Sequence, residues 1–195
     1  MNYLAHLYLS GSDPDLQLGN FIADAVKGKQ VNLYPDRVRA GIILHRAIDT
    51  FTDSHLVVKE SKKRLYAGYS KFAGVVTDMF YDHFLAKNWH HYHPKTLDNY
   101  TADFYKLLQS RWAELPEKIQ YFAPYMIEHN WLLRYSEIEG IGRSLYGLAQ
   151  RVKYAEQLQF ATKDLELHFD LFKAEFDEFF PELEEFVRER TEELV

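Results

Sequence analysis

The sequence predicts an all-α fold that forms a single domain over residues 1–195. Apolar residues recur at helical spacing through most segments, glycine and proline punctuate them, and we find no convincing apolar–polar alternation of the kind that predicts a strand. Hydrophobic residues make up 47% of the chain and aromatic residues 16%, which is enough for one sizeable core. Because neither an internal repeat nor a linker interrupts the pattern, we expect a compact helical bundle.

Turn-forming residues divide the chain into a series of helices. Asn2 is placed to cap a first short helix, and a second helix from Pro14 to about Val26 ends before Gly28. Further helices are expected at about residues 35–52, 54–66, 72–89 and 97–112, followed by shorter pieces separated by Pro116, Pro124, Gly140 and Gly142. The pattern from Leu145 to about Phe179 is typical of one or two long helices, and Pro181 should kink or separate a final acidic segment.

Composition excludes several kinds of chemistry. The chain has no cysteine, which excludes disulfides, thiolate catalysis and cysteine-ligated zinc and is typical of a reducing cytosol. No run approaches the roughly 20 apolar residues that span a bilayer. The N-terminal MNYLAHLYLS has neither the basic region nor the cleavage site of a secretory signal. We therefore expect a cytoplasmic protein that does not enter a membrane.

Charge is distributed unevenly along the chain. The net charge of −6 argues against nucleic-acid binding. Residues 27–71 nevertheless contain ten basic and four acidic residues, whereas residues 164–195 contain three basic and twelve acidic ones. The basic stretch suggests a docking surface for an anionic partner, and the alternative is two solvated helix faces of opposite sign.

Polar pairs four residues apart occur in three apolar segments. The pairs are Asn20 and Asp24 in LGNFIADAVKG, His45 and Asp49 in GIILHRAIDTFTD, and Asp78 and Asp82 in VVTDMFYDHFL. This spacing places both members of a pair on one helix face, where they can converge on a single point. His6, in the N-terminal segment, is a fourth contributor. Carboxylates in such surroundings need hydrogen bonds, cationic partners or a metal ion.

The available ligands are carboxylates and imidazoles, which suit a hard or borderline divalent ion. Mn²⁺ or Mg²⁺ would favour the oxygens, while Fe²⁺ or Zn²⁺ would tolerate more histidine. The alternative for the pairs is a structural hydrogen-bond network, and the alternative for His6 is a satisfied core histidine. Because the sequence has no glycine-rich phosphate loop, GxSxG or HExxH motif, it does not predict a Walker-type NTPase, a serine hydrolase or a zincin.

Five segments together resemble a known family, the bacterial acyl carrier protein phosphodiesterases. They are MNYLAHLYLS, LGNFIADAVKG, GIILHRAIDTFTD, VVTDMFYDHFLAKNW and WLLRYSEIEGI, and they follow the family's order over much of the chain. The resemblance implies an all-helical fold distantly related to HD-domain metal phosphohydrolases. It also implies Mn²⁺-dependent hydrolysis of the phosphodiester that joins 4′-phosphopantetheine to a serine of acyl carrier protein. Since no His-Asp dipeptide occurs here, the HD ligand pattern is not carried over.

These observations combine into a hypothesis for the site. The expected metal ligands are His6, Asp24, His45, Asp49 and Asp78. Acid–base chemistry is assigned to Asp82 and His83, and phosphate contacts to Arg46 and Asn20, with Arg134 and Arg143 as weaker candidates.

The basic stretch suits acyl carrier protein as an acidic partner. Two alternatives remain open at this point. One is an HD-like phosphohydrolase that acts on a nucleotide or another small phosphodiester. The other is a non-catalytic helical binding module.

Overall fold

The computed structural model describes residues 1–194, which form eleven α-helices joined by short turns, several of them 3₁₀-helical. The helices are α1 (Tyr3–Leu9), α2 (Pro14–Ile22), α3 (Asp36–Ser54), α4 (Leu56–Tyr69), α5 (Ala73–Lys87), α6 (Leu97–Ser110), α7 (Glu117–Glu128), α8 (Trp131–Arg134), α9 (Ile138–Arg151), α10 (Ala161–Leu167) and α11 (Phe169–Leu194). Because these residues include no strand, the all-α prediction is confirmed. No helix among them is long and apolar enough to cross a membrane.

The C-terminal region differs from the expected pattern. The segment from Leu145 is broken near Tyr154, which has a positive φ of 67°, and the long helix α11 begins only at Phe169. Pro181 lies inside α11 rather than ending it. A proline removes one N–H from the helix, but buried side chains such as Phe180 and Leu183 continue the packing past that point. The prediction of a separate final segment was therefore wrong.

Helix α5 is central to the core. Eleven of its fifteen residues are buried, so it is enclosed on nearly all sides. It contacts α1, α4, α9 and α11. The rings of Phe80 and Phe84 on α5 pack edge-on against Phe172 and Phe169 of α11. Any polar side chain on α5 must consequently find its partners inside the protein.

Two glycines bring α2 and α3 unusually close together. A Cβ atom at Gly19 would overlap the carbonyl oxygen of Val38, and one at Gly41 would overlap the carbonyl oxygen of Leu16. With no side chain at either position, the two backbones can touch. This contact fixes α2, and the polar residues at its end, against the middle of α3.

We predict that Gly41→Ala destabilises the protein by about 1–3 kcal/mol, since the methyl group would force α2 away from α3. Urea unfolding followed by circular dichroism measures the change. Gly68→Ala on α4 is the matched control, because a Cβ there meets no atom within 4 Å. The control should be neutral or stabilising by up to about 1 kcal/mol. Equal effects in the two variants would contradict the role given to the glycine contact.

Candidate metal centre

Three of the residues singled out from the sequence converge where α1 meets α3. His6, His45 and Asp49 each offer a ligand atom, and these atoms all lie within 4.8 Å of one another. Asp49 places Oδ1 at 3.2 Å from His6 Nε2 and Oδ2 at 3.2 Å from His45 Nε2. The two imidazole rings stack with their centroids 3.9 Å apart. We call these three residues the His–Asp cluster.

Asn20 orients His45 from behind the cluster. Its Nδ2 donates hydrogen bonds to the carbonyl oxygen of His6 at 3.0 Å and to Ser10 Oγ at 2.8 Å, which fixes the direction of the amide. Asn20 Oδ1 therefore accepts a hydrogen bond from His45 Nδ1 at 3.0 Å. With a proton held on Nδ1, His45 would present the lone pair of Nε2 to an ion that displaces the proton shared with the carboxylates. This arrangement, in which a buried hydrogen bond sets the tautomer of a ligand, is typical of metal-binding histidines.

Asp24 approaches the cluster from the end of α2. Its Oδ1 lies 3.4 Å from His45 Nε2, and its side chain is 66% exposed. Asn20, Asp24 and Asp49 thus all contact His45. The Asn20 side chain, however, is fully buried and bonded within the protein. The structure corrects its expected role from contact with phosphate to support of His45.

Electrostatics within the cluster favour ionised carboxylates. Burial alone would lower the pKa of His45, but hydrogen bonds with Asp24 and Asp49 raise that pKa to about 9. Burial would likewise raise the pKa of Asp49, yet its bonds with His45 and His6 hold that pKa well below the usual range. The hydrogen bond with His45 also lowers the pKa of Asp24. A cation at this point would therefore meet carboxylates that are already charged.

His6 is the deeper of the two histidines. Burial, followed by the neighbouring His45, lowers its pKa to about 4, so its imidazole is neutral near pH 7. His6 Nε2 also lies 3.2 Å from the carbonyl oxygen of Met1. Both oxygens near Nε2 are acceptors, so this nitrogen carries the proton of the neutral ring, and a metal ion would take the place of that proton. The donor set of two imidazoles and one or two carboxylates fits a divalent ion such as Mn²⁺, Fe²⁺ or Zn²⁺.

Asp78 is not one of the residues whose ligand atoms converge in the His–Asp cluster. Its Oδ1 is 3.1 Å from the backbone nitrogen of Met1, whose carbonyl oxygen faces His6. Asp78 therefore contacts the site through Met1. The expectation that Asp78 is a direct ligand does not match this geometry.

Asp82 is placed as a cap for α1 rather than as an acid–base group. Its carboxylate is fully buried and accepts hydrogen bonds from the backbone N–H groups of Leu4 at 2.8 Å and of Asn2 and Ala5 at 3.3 Å. Burial raises the pKa of Asp82 to about 7, although these N–H donors oppose the shift. The first turn of a helix has unpaired N–H groups that an acceptor from elsewhere can satisfy. Asp82 does this for the helix that carries His6.

His83 faces a different part of the interior. Its Nδ1 forms a hydrogen bond with the carbonyl oxygen of Tyr135 at 2.8 Å, and its ring packs against Phe169. Burial lowers the pKa of His83. Consecutive residues on a helix point about 100° apart, so His83 cannot share the direction of Asp82. The acid–base roles expected for Asp82 and His83 stay predictions, since the structure gives each side chain a separate structural contact.

The remaining candidates lie around the site. Arg46 is exposed and donates from Nη2 to the carbonyl oxygen of Val26 at 3.2 Å. Arg134 and Arg143 line a cavity together with Tyr3. Ser10 was not singled out from the sequence. It follows His6 by four residues, just after α1, donates a hydrogen bond to the His6 carbonyl oxygen and accepts one from Asn20 Nδ2. That spacing is the signal that identifies it.

Comparison with known proteins gives the same family description for the family model and for the curated relatives. The family model described as "Acyl carrier protein phosphodiesterase" matches residues 1–183. Curated proteins with the same name are similar over nearly their whole length. That of Photorhabdus laumondii is 33% identical over 93% of this chain and 92% of its own, and that of Pectobacterium atrosepticum is 31% identical over 94% and 95%. That of Yersinia pestis is 32% identical over 93% and 94%. No solved structure shows significant similarity.

We predict that Asn20→Ala weakens Mn²⁺ binding by about 10- to 100-fold, because His45 loses the hydrogen bond that fixes its tautomer. Isothermal titration calorimetry on protein shown to be folded by circular dichroism measures the affinity. The control is Asn88→Ala, which removes an amide that donates to the Phe84 carbonyl oxygen at the end of α5. Unchanged Mn²⁺ affinity in Asn20→Ala would exclude this supporting role.

Proposed function

This chain belongs to the acyl carrier protein phosphodiesterase family, and we propose that it hydrolyses the phosphodiester between 4′-phosphopantetheine and a serine of holo-acyl carrier protein. The products are apo-acyl carrier protein and 4′-phosphopantetheine. The observation that supports this proposal is the convergence of His6, His45 and Asp49 in a chain that matches the family over residues 1–183. A cytoplasmic location stays a prediction from the sequence.

We propose that the His–Asp cluster holds the divalent ion, most favourably Mn²⁺. His6 and His45 contribute Nε2 and Asp49 contributes its carboxylate. The ion would supply Lewis-acid activation of the phosphodiester and lower the pKa of a water molecule. Asn20 keeps His45 in the tautomer that coordinates, and Asp82 holds the first turn of α1 in place behind His6.

Asp24 has a different position from Asp49. Asp49 lies between the two imidazoles, whereas Asp24 contacts only His45 and is mostly exposed to solvent. We therefore assign Asp24 the outer position in the site, where its carboxylate can complete the ligand set. Its lowered pKa keeps it ionised for that role.

Part of the basic stretch is positioned to meet an acidic protein. Several of its bases already pair with carboxylates of this chain: Arg37 with Asp13, Arg39 with Asp36, Lys62 with Asp53, Lys63 with Glu60 and Arg64 with Glu175. Lys27 and Lys29 are exposed and follow Asp24 closely in the chain. Leu33, 81% exposed, lies in the same 3₁₀ segment. We propose that this segment docks the acidic carrier beside the cluster.

The function is tested by incubating the protein with holo-acyl carrier protein and Mn²⁺ and measuring the mass of the carrier. We expect the mass of phosphopantetheine to be lost. Asp49→Asn should lower the rate by about 1,000-fold, because removal of the charged ligand weakens metal binding and activation. Asp53→Asn is the control, one turn further along α3 at an exposed position paired with Lys62.

The same assay distinguishes the alternatives. Cleavage of nucleotides or other small diesters in place of the carrier would favour a broader phosphohydrolase. No activity and no binding of any divalent ion would favour a helical binding module.

We further predict that the double variant Lys27→Glu, Lys29→Glu raises the KM for the carrier by about tenfold at low salt, since two attractive charges become repulsive. The effect should shrink as ionic strength rises. The double variant Lys95→Glu, Lys106→Glu is the matched control, because both lysines pair with Asp103 on α6. Equal KM changes in both variants would place the docking surface elsewhere.

A further inference from the structure

A cavity of about 750 Å³ has no role in the mechanism described so far. The N-terminal segment, α5, and the region from α7 to α9 form its walls. Its lining includes Tyr3, Met79, Trp131, Arg134, Arg143 and Arg151. This volume lies within the range of about 300–1,000 Å³ that is usual for small-molecule sites.

Tyr3 lines the wall of the cavity that the N-terminal segment forms. Burial raises the pKa of Tyr3 to about 12, and smaller contributions come from Asp24 on the cluster side and Arg151 on the cavity side. Asn2 also lines the cavity, while the Met1 carbonyl oxygen contacts His6. On α5, Met79 faces the cavity and its neighbour Asp78 contacts Met1. The N-terminal segment and α5 therefore connect the wall of the cavity to the surroundings of the His–Asp cluster.

Helix α9 contributes two positive charges and several small residues to the cavity wall. Arg143, Gly147 and Arg151 follow one another at intervals of four and share a face of the helix. Gly147 leaves space on that face, since a Cβ atom there would meet only Arg151 Nη2, at 3.8 Å. Small residues on the face that lines the cavity, including Ser144, leave room for a ligand to lie along α9.

The lining is cationic and aromatic. Lys118 adds a fourth permanent positive charge to the three arginines, and along residues 1–194 the lining contains no carboxylate. Arg134 and Arg151 use Nε for the carbonyl oxygens of His129 and Gly147, which leaves their terminal nitrogens without an acceptor among the described residues. By contrast, the groove between α3 and α11 contains Glu189 and Glu193. The cavity is therefore suited to an anion that carries an uncharged, partly apolar chain.

We propose that this cavity binds the phosphopantetheine arm of the carrier substrate, with the arm packed between α9 and the aromatic residues and its phosphate directed towards the His–Asp cluster. This inference rests on the proposed function and identifies where the prosthetic group lies. The arm has the required chemistry, since it joins a phosphate to a flexible chain of amides and methylenes. The arginines attract the phosphate, and Tyr3 and Trp131 cover the chain. We call this site the arm cavity.

The test fills the arm cavity with Gly147→Leu and uses Gly68→Leu on α4 as the matched control, since a Cβ at Gly68 meets open space outside the cavity. Steady-state hydrolysis of holo-carrier gives KM, and calorimetry gives the affinity for free 4′-phosphopantetheine. Gly147→Leu should weaken both by about tenfold or more, because the leucine occupies the space of the arm. Hydrolysis of bis(4-nitrophenyl) phosphate, which lacks an arm, should stay within about twofold of wild type. Arg143→Gln should also weaken phosphopantetheine binding, by removing one charge without filling space.

The outcomes separate the two proposals. If wild type cleaves holo-carrier and neither Gly147→Leu nor Arg143→Gln changes KM or phosphopantetheine affinity, the arm cavity is excluded while the function stands. If wild type releases no phosphopantetheine, the proposed function fails and calorimetry alone decides the cavity. Binding to wild type that is lost in Gly147→Leu and kept in Gly68→Leu would support the site. Absence of binding to wild type would overturn it.

Discussion

The buried amide of Asn20 is the interaction on which the site depends. A side-chain amide in an apolar interior is costly unless its polar atoms are bonded. Asn20, at the end of α2, meets this requirement by bonding to two other helices. Its Nδ2 donates hydrogen bonds to the His6 carbonyl oxygen and to Ser10 Oγ at the end of α1, and its Oδ1 accepts a hydrogen bond from His45 Nδ1 on α3. The same bonds therefore stabilise the helix packing and set the tautomer of a proposed ligand. A substitution of Asn20 is therefore expected to affect both the packing of these helices and the state of His45.

Two further features place α1, α2 and α3 so that Asn20 can form these hydrogen bonds. The glycine contact at Gly19 and Gly41 brings α2 close enough to α3 for a short amide to reach His45. Asp82 holds the opposite end of α1 by accepting its first N–H groups. Helix α1 has only seven residues, too few to be stable by itself. With Asp82 at its start and Asn20 at its end, α1 keeps His6 at a fixed distance from Asp49.

The spacing of residues in the sequence predicted most helices and which side chains share a helix face. Spacing of four places His45 and Asp49 on one face of α3, whereas Asp24 lies in the 3₁₀ turn after α2 and still reaches His45. Spacing does not reveal what that face meets. Asp78 and Asp82 share a face, yet α5 is enclosed, so Asp82 meets the backbone of α1 rather than the cluster. The arm cavity was not predicted as a site, since its walls come from segments far apart in the chain.

The distribution of positive charge explains how a site with several carboxylates can bind an anionic substrate. Half of the ten basic residues in the basic stretch form ion pairs with carboxylates of this chain. The stretch as a whole therefore attracts an anionic partner more weakly than its composition suggests. Lys27 and Lys29 are exposed and follow Asp24 closely in the chain, and three arginines line the arm cavity. In the proposed mode of binding, the two lysines contact acidic parts of the carrier that do not react, while the arginines attract the phosphate of the arm. Binding energy from such remote contacts can hold the phosphodiester against the repulsion of Asp24 and Asp49, which leaves the cluster free to stabilise the transition state.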